Sequence, residues 1–537
     1  MAIDLTTEQK EIGKTNFQRV VGRHYDLSRR DFMKGMLAAG TVLPISAAAY
    51  FGYQTLHGSP VKAGLIGAGD EGGVLVGEHN PEYLEFIACC DIRPTNRKRI
   101  YVGETNSPRK GFNRIYGDEA LKKIQMYDDY HKLLENKEIE AVVIALPLHL
   151  HAPVAIDCMK AGKHVLCEKL MAWNVSQCKE MIKVADETDR ILSIGHQRHY
   201  SMLYAHAVEV LKAGDLGDIR HIRALWHRNN ALPRLDKEGK EVPIPNDPNH
   251  RTYLKDSWYP EIHDDDRKAL EGQIHQLGYK SMEELVRWRL YNRTGGGLMA
   301  ELGSHQLDAC SIFLGKVHPL AVSGFGGKIF YHDEREVDDH VFVTFEFPGP
   351  GYFNDKEKRA VKDKNDLVVV TYSSISTNAF EPYGECVMGN HGTMIVSQET
   401  DIMLYPHGAA GGRSTAVTVS KEGKGLTVLD ASASTGVTEQ KAVDTGRDAI
   451  GKAPVSRGYR EEMEDFAYCV RMWNRADKKN RRLPRCHGRV AMADAIIALT
   501  SNQAMHKKQR IEFKHEWFDP ASPEVPDPDM KAESVSG

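Results

Sequence analysis

Three groups of residues have types and spacings that could do chemistry. The first is Gly67-Ala-Gly69-Asp-Glu-Gly72, which fits G-x-G-x-x-G and follows the apolar run Val61–Ile66. A strand, a glycine turn and a helix in that order cradle a pyrophosphate. Gly67 allows the tight turn, Gly69 lets the anion approach the backbone, and Gly72 lets the helix pack on the strand. Asp91 ends the next apolar run, 19 residues past Gly72, about where a carboxylate holds a ribose hydroxyl. That acid disfavours a 2′-phosphate, so NAD is expected over NADP, although Arg93 and Arg97 nearby could take the phosphate instead. Asp70 and Glu71 put carboxylates beside an anion site, and a cap on the following helix accounts for Asp70.

The second group is Glu168-Lys169, at the carboxyl end of the strand His164–Cys167. A lysine there can hydrogen-bond a substrate hydroxyl and help a proton leave; a solvated surface lysine is the plain alternative. The third is Gly295-Gly-Gly297 followed by Glu301, His305 and Asp308 on one helix face. His305 is the candidate general base, because an imidazole titrates nearest neutral pH. It would take a hydroxyl proton while hydride leaves the same carbon. Glu301 would orient His305 or bind a sugar hydroxyl, and Asp308 is structural or substrate-orienting. The alternative is a helix cap or an interface carboxylate–histidine pair.

Other polar residues gather at strand ends and suggest a polar substrate: His196, Arg198, His199 and Tyr200 in one group, His227, Arg228, Asn229 and Asn230 in another. His149-x-His151 could share a metal, but no cysteine or acid stands at a recognisable spacing, so no metal is expected. His263-Asp-Asp-Asp266 reads as a solvated acidic turn or a cation site.

The elements that must position these groups fall into an α/β pattern. Residues 60–195 alternate apolar strands with helices, which reads as a doubly wound parallel Rossmann sheet binding NAD. Asn174 caps a helix over Val175–Thr188. From 196 to 517 the pattern changes to an α/β domain with a large, mostly antiparallel open sheet, built from Ile219–Trp226 and strands between Ala321 and Ser397. Residues 231–280 form an irregular insertion, and the tail 518–537 is expected to be disordered.

The chain has 537 residues, a net charge of −4 and nine cysteines. Those values exclude a general nucleic-acid footprint and a disulfide framework. Residues 1–59 read as an address and linker. Ser28-Arg29-Arg30-Asp-Phe-Met-Lys34 fits a twin-arginine signal after a long polar n-region. Gly35–Tyr53 is mildly apolar, and Ala47–Ala49 offers small residues for cleavage. The twin-arginine export machinery is thus an expected partner and the periplasm an expected location, with an uncleaved membrane anchor as the rival.

Gly67 to Gly72, Asp91, Ala145-Leu-Pro-Leu-His-Leu-His151, Ala161-Gly-Lys-His-Val-Leu-Cys-Glu-Lys169 and Gly295 to Asp308 follow one another as in the Gfo/Idh/MocA oxidoreductases. The sequence resembles that family from about Pro60 to Trp517. The resemblance implies nicotinamide chemistry on sugars and polyols, and a homo-oligomer formed through the open sheet. It implies a loop carrying Pro147 and His151 beside the nicotinamide ribose, with Glu168 and Lys169 also at the cofactor. The C-terminal helix is expected to pack back on the Rossmann domain. Leu170 stands where the family usually has proline, and Glu301 where it usually has aspartate. Export together with NAD implies tightly held cofactor. The expected function is therefore an exported oxidoreductase. Glycoside cleavage by transient oxidation is one alternative, for which His199, Tyr200 or the 231–280 insertion could supply a second base; a non-catalytic sugar-binding relative is the other.

Overall fold

The computed structural model describes residues 5–24, 58–355, 360–407, 418–420, 428–430, 457–475 and 481–526. The twin-arginine motif lies outside the described residues. The first element, α1 (Thr7–His24), precedes it.

The Rossmann half runs through β1 (Val61–Ile66), α2 (Asp70–Glu78), β2 (Leu84–Cys90), α3 (Pro94–Val102), β3 (Gln125–Tyr127), α4 (Tyr130–Glu135), β4 (Ala141–Ile144), α5 (His151–Lys160), β5 (His164–Glu168), α6 (Val175–Thr188) and β6 (Leu192–Gly195). The strands form one sheet in the order β3-β2-β1-β4-β5-β6, every pair parallel. β4 and β5 are buried throughout because helices cover both faces, which is why they read as continuous apolar runs. The Asn174 side chain accepts from Gln177 N at 2.8 Å and starts α6 as expected.

The second half contains α7 (Met202–Lys212), β7 (Ile219–His227), α8 (Asp264–Leu270), α9 (Met282–Val286), a π-helical turn Met299–Gly303, α10 (Ser304–Phe313), β8 (Ala321–Gly327), β9 (His340–Pro348), β10 (Leu367–Ile375), β11 (Tyr383–Gly389), β12 (Gly392–Ser397) and β13 (Asp401–Pro406). A two-stranded pair, β14 (Thr418–Ser420) and β15 (Val428–Asp430), follows. α11 (Tyr459–Arg475), α12 (Gly488–Lys507) and β16 (Ile511–Glu512) complete the chain. The larger sheet has the order β13-β12-β11-β7-β10-β9-β8-β16. Only its central β7–β10 pair is parallel. α11 buries Met463, Phe466 and Val470 against β1 and β2, and α12 lies between the two sheets with residues in both cores.

Three stretches differ from expectation. The polar n-region contains α1, which buries Phe17 and Val20 in the core of the second half. Asn16 Nδ2 donates to Leu404 O at 3.1 Å and Tyr405 Oη to Gln9 O at 2.9 Å, so β13 holds the helix. The insertion is not uniformly irregular: bridges Pro233–Leu254 and Pro243–Thr252 fold it back on itself, and α8 follows. Residues 518–526 of the tail are ordered, because the Lys179 ammonium gathers the carbonyls of Glu516, Ser522 and Glu524 at 3.1, 2.8 and 2.7 Å; the rest of the tail expectation lies outside the described residues.

Candidate functional site

The glycine turn is built as its sequence demands. Gly67 has φ +99°, and a Cβ there would lie 2.2 Å from Ala145 O. A Cβ on Gly72 would lie 2.1 Å from Gly67 O, so the helix and the turn touch only because that residue is glycine. Beside Gly69, by contrast, a Cβ would meet nothing within 4 Å. Gly69 is also the first cap of α2, without a side-chain acceptor on the helix amides. Open space beside unclaimed N–H groups is what a diphosphate needs, and the turn fits a dinucleotide. The expected cap by Asp70 is corrected: its carboxylate lies 2.8 Å from Arg99 Nη1 and 3.8 Å from Arg109 Nη2. Asp91 is fixed at the turn, Oδ2 accepting from Ala68 N at 2.8 Å and from Asn96 Nδ2 at 3.1 Å. Both arginines that could serve a 2′-phosphate are committed. Arg97 donates to the carbonyls of Asp91 and Ile92, and Arg93 Nε donates to Asp266 at 2.9 Å.

Lys169 leaves β5 and reaches across to the second half, where Nζ donates to Glu301 O at 3.0 Å. The carbonyl belongs to the π-helical turn, and such turns, with their displaced hydrogen bonding, recur at functional sites. Leu170, in place of proline, is 1% exposed. His151 supports this junction: Nδ1 lies 2.7 Å from Leu170 O and Nε2 2.9 Å from Leu146 O. With both ring nitrogens against backbone carbonyls, His151 clamps the strand ends and does not offer its ring to a ligand, a correction to its expected cofactor role. Pro147 opens the short helical turn between β4 and α5. Glu168 is buried, and burial first, then the Glu71 carboxyl, pushes its pKa well above the usual range.

His305 begins one turn beyond Glu301, with its ring facing Trp226 at 5.5 Å between centroids. Its ring makes no hydrogen bond among the described residues. Burial foremost, then the charges of Lys169 and Arg198, hold its pKa well below the usual imidazole range. The ring is therefore neutral at physiological pH. Its backbone is fixed by Arg198, which donates to His305 O at 2.5 Å and pairs with Glu385 and Glu399 at 2.9 and 2.7 Å. Glu301 does not orient His305: its carboxylate takes Arg289 Nε at 2.7 Å. Burial alone would raise the Glu301 pKa, but Arg289 and then Lys169 outweigh it and hold the group ionised.

Several expected substrate residues are placed elsewhere. Tyr200 is fully buried and its hydroxyl accepts from Cys486 N at 3.0 Å. Asp308 is 1% exposed and spends Oδ1 on His199 Nε2 and Lys316 Nζ, each at 2.8 Å. That makes the His199–Asp308 pair a structural one. His227 alternates with Trp226 along β7, so it lies on the sheet face opposite His305 and bonds Ser373 Oγ at 2.9 Å. His149 meets the Thr294 carbonyl and the edge of Tyr279. Among the described residues, the one grouping with metal-ligand spacing is His196, Asp308 and Asp494, and the Lys316 ammonium already bonds both acids. Arg198, expected at the substrate, is instead buried against Glu385 and Glu399. Arg289 and Lys316 were not foreseen; no sequence motif links them to partners 8 to 178 residues away.

A family model described as an oxidoreductase family with an NAD-binding Rossmann fold matches residues 61–196, and a GFO/IDH/MocA C-terminal domain model matches residues 270–354. Inositol 2-dehydrogenase of Salmonella typhimurium is 25% identical over 181 residues, 32% of this chain and 48% of the relative. Glycosyl hydrolase family 109 protein 1 of a Shewanella species is 27% identical over 169 residues, 31% of this chain and 35% of the relative. The chain thus spans about half or less of these relatives' length. The crystal structure of an inositol dehydrogenase homolog from Azotobacter vinelandii, complexed with NAD+, covers 85% of this chain and 98% of its own, with a TM-score of 0.55 at 14% identity. That likeness shows the shared fold. From the glycine turn to the second sheet, two stretches of the chain match models of the Gfo/Idh/MocA oxidoreductase family.

Proposed function

We propose that the protein is an NAD-dependent oxidoreductase that removes hydride from a CH–OH carbon of a sugar, polyol or glycoside. The observation that carries this reading is the meeting of Lys169, from the end of the parallel sheet, with the turn that leads into His305, beside the glycine turn. Bound NAD would supply the hydride acceptor. The residues of the chain handle the proton. The neutral His305 ring takes the hydroxyl proton at a ring nitrogen. The Lys169 ammonium, held on the Glu301 carbonyl, donates to the hydroxyl oxygen and stabilises it as it gains negative charge. Lys169 and Arg198 disfavour the imidazolium, so the ring passes its proton on.

Ser28–Lys34 supports export by the twin-arginine machinery and action in the periplasm, with Gly35–Tyr53 as a membrane anchor in the rival case. Among the described residues, no helix is long and apolar enough to cross a membrane. Exposed Phe325, Phe342 and Val369 on the open sheet support a homo-oligomer. The Shewanella relative favours a second reading, glycoside cleavage by transient oxidation with the cofactor retained.

Denaturing the purified protein and identifying the released nucleotide tests the reading, followed by a screen of sugars, polyols and glycosides. NAD should be released. His305→Ala should lower turnover about 10²- to 10⁴-fold while nucleotide still binds. Net NADH formation supports the oxidoreductase; glycoside cleavage without NADH accumulation supports the second reading. Protein with neither bound nucleotide nor affinity for NAD(H) would sink both.

A further inference from the structure

The insertion ends in a carboxylate that belongs structurally to the Rossmann half. Asp266, in the first turn of α8, is fully buried. Its Oδ1 accepts from Thr95 N at 3.1 Å, and its Oδ2 accepts from Thr95 Oγ1 at 2.6 Å and from Arg93 Nε at 2.9 Å. Thr95 lies in the first turn of α3, whose own cap residue, Arg93, provides no side-chain acceptor. A residue 171 positions away therefore caps the helix that follows Asp91. The anchor is reinforced by packing. Leu270, Ile274, Tyr279, Met282, Leu285 and Val286 form a small core, against which Ile92 and Leu150 are packed. Those two residues stand on the loops after β2 and β4, the strands on either side of the glycine turn.

We propose that Asp266 is a specificity determinant for the dinucleotide, withholding Arg93 from a 2′-phosphate and anchoring the insertion over the adenosine end of the site. In Rossmann sites an arginine near the acid after β2 accommodates the extra phosphate of NADP. Here Arg93 follows Asp91 by two residues, its N–H already bonded to Asp91 Oδ1 at 2.8 Å, and its guanidinium is turned to Asp266. The same contact places a second buried carboxylate beside the first. Both effects disfavour a dianionic 2′-phosphate. The packed insertion covers the loops after β2 and β4, which would flank the dinucleotide, so the same anchor slows release of bound nucleotide.

This inference rests on the crevice binding a nicotinamide dinucleotide, and its test separates the two. NAD+ and NADP+ are titrated by calorimetry into the full chain, and exchange of bound NAD+ against labelled NAD+ is followed. The variants are wild type, Asp266→Asn, Asp266→Ala and Arg93→Ala/Asp266→Ala. Asp266→Asn keeps an acceptor for Thr95 but loses the charge that holds Arg93, so it should fold. The NADP+/NAD+ affinity ratio should rise about tenfold or more in the single variants, the effect of freeing one cation for a phosphate. It should fall back in the double variant, and NAD+ exchange should quicken in Asp266→Ala. An equal weakening of both nucleotides, with the ratio unchanged in both single variants, would overturn the assignment and leave Asp266 a structural cap. Wild-type protein that binds neither nucleotide would overturn the underlying reading of the crevice instead.

Discussion

At the scale of single residues, the His305 environment makes a claim about pH. A base must be unprotonated to act, and burial with two nearby cations lowers the pKa at which His305 takes up a proton. Activity should therefore stay level as pH falls past about 6.5, the ordinary imidazole value, and decline only in more acidic solution. Lys169→Met removes one of those cations. The residual rate of that variant should show its acid limb shifted to higher pH, which a pH–rate profile would read directly. An acid limb at about 6.5 in the wild type, unmoved in Lys169→Met, would rule out His305 as the base in this setting. Glu71 makes a second claim. Its Oε1 is buried without a partner at the anion turn, and burial pushes its pKa up despite Lys169 and Arg289. Its neutral form can donate to a diphosphate, whereas its charged form repels one. NAD+ affinity should weaken as pH rises through that raised pKa, and Glu71→Gln should remove the weakening. Titration calorimetry from acid to alkaline pH checks both statements. Gly67, Gly69, Gly72, Lys169 and His305 were legible in the sequence because each sits at a strand end or a fixed offset. His151, Tyr200 and His227 misled because sequence order gives proximity to a strand end but not the direction of a side chain or its partners.

At the scale of elements, most strands and helices of the two halves were legible from apolar runs and periodicity; α3, β3 and β13 to β16 were not singled out, and neither was α1. Its sequence is mostly polar, with a narrow apolar stripe, and it precedes a stretch expected to be an export signal, so nothing local marked it as part of the fold. Tertiary contacts decide it: Phe17 and Val20 are buried, Lys14 pairs with Asp401 at 2.9 Å, and Gly13 lies where a Cβ would approach Met403 and Tyr405 within 2.7 Å. Cleavage at Ala47–Ala49 would sever α1 from the body it packs on. Phe17→Ala should loosen the helix, since removing a buried phenylalanine costs about 3 kcal/mol where the site cannot collapse. Limited proteolysis should then trim the N-terminal segment faster, while NAD+ binding at the distant glycine turn stays unchanged. Equal trimming of wild type and variant would show that α1 adds nothing to the folded body. α8 escaped sequence reading for a related reason. Its three consecutive aspartates look solvated, and only the distant Thr95 and Arg93 explain why the third is buried.

At the scale of the whole molecule, the buried ionisable groups set how stability depends on pH. Burial chiefly lowers His79 and His149 to about 4 and His196 to about 3. The unfolded chain protonates such rings near 6.5, so their contribution is present above that value and is lost as pH falls toward 4 and then 3. For His79 the difference amounts to about 3 kcal/mol. Asp308, held well below the carboxylate range against burial by His199 and Lys316, adds a loss in the same direction. Buried carboxyls act oppositely. Burial raises Glu385 to about 7 and Glu168 and Glu462 well above their ordinary value, so their contribution is present in acid and is lost as pH rises through those raised values. Between about pH 4.5 and 7 the two sets offset each other. Below that window the carboxyls are protonated whether folded or not, and only the histidines and Asp308 still change. Above it the histidines are neutral in both states, and the raised carboxyls, Glu168, Glu462, Asp494 and Glu71 among them, continue. The melting temperature should form a broad plateau near pH 5 to 7, with a steep acid limb and a shallower alkaline one, as scanning calorimetry would record. His79→Gln, which still offers a hydrogen-bonding group to Tyr116 Oη but cannot titrate, should flatten the acid limb. A melting temperature that climbs steadily from pH 4 to 9 would contradict the opposition of the two sets. That opposition follows from a fold that buries titratable groups of both signs in both of its halves.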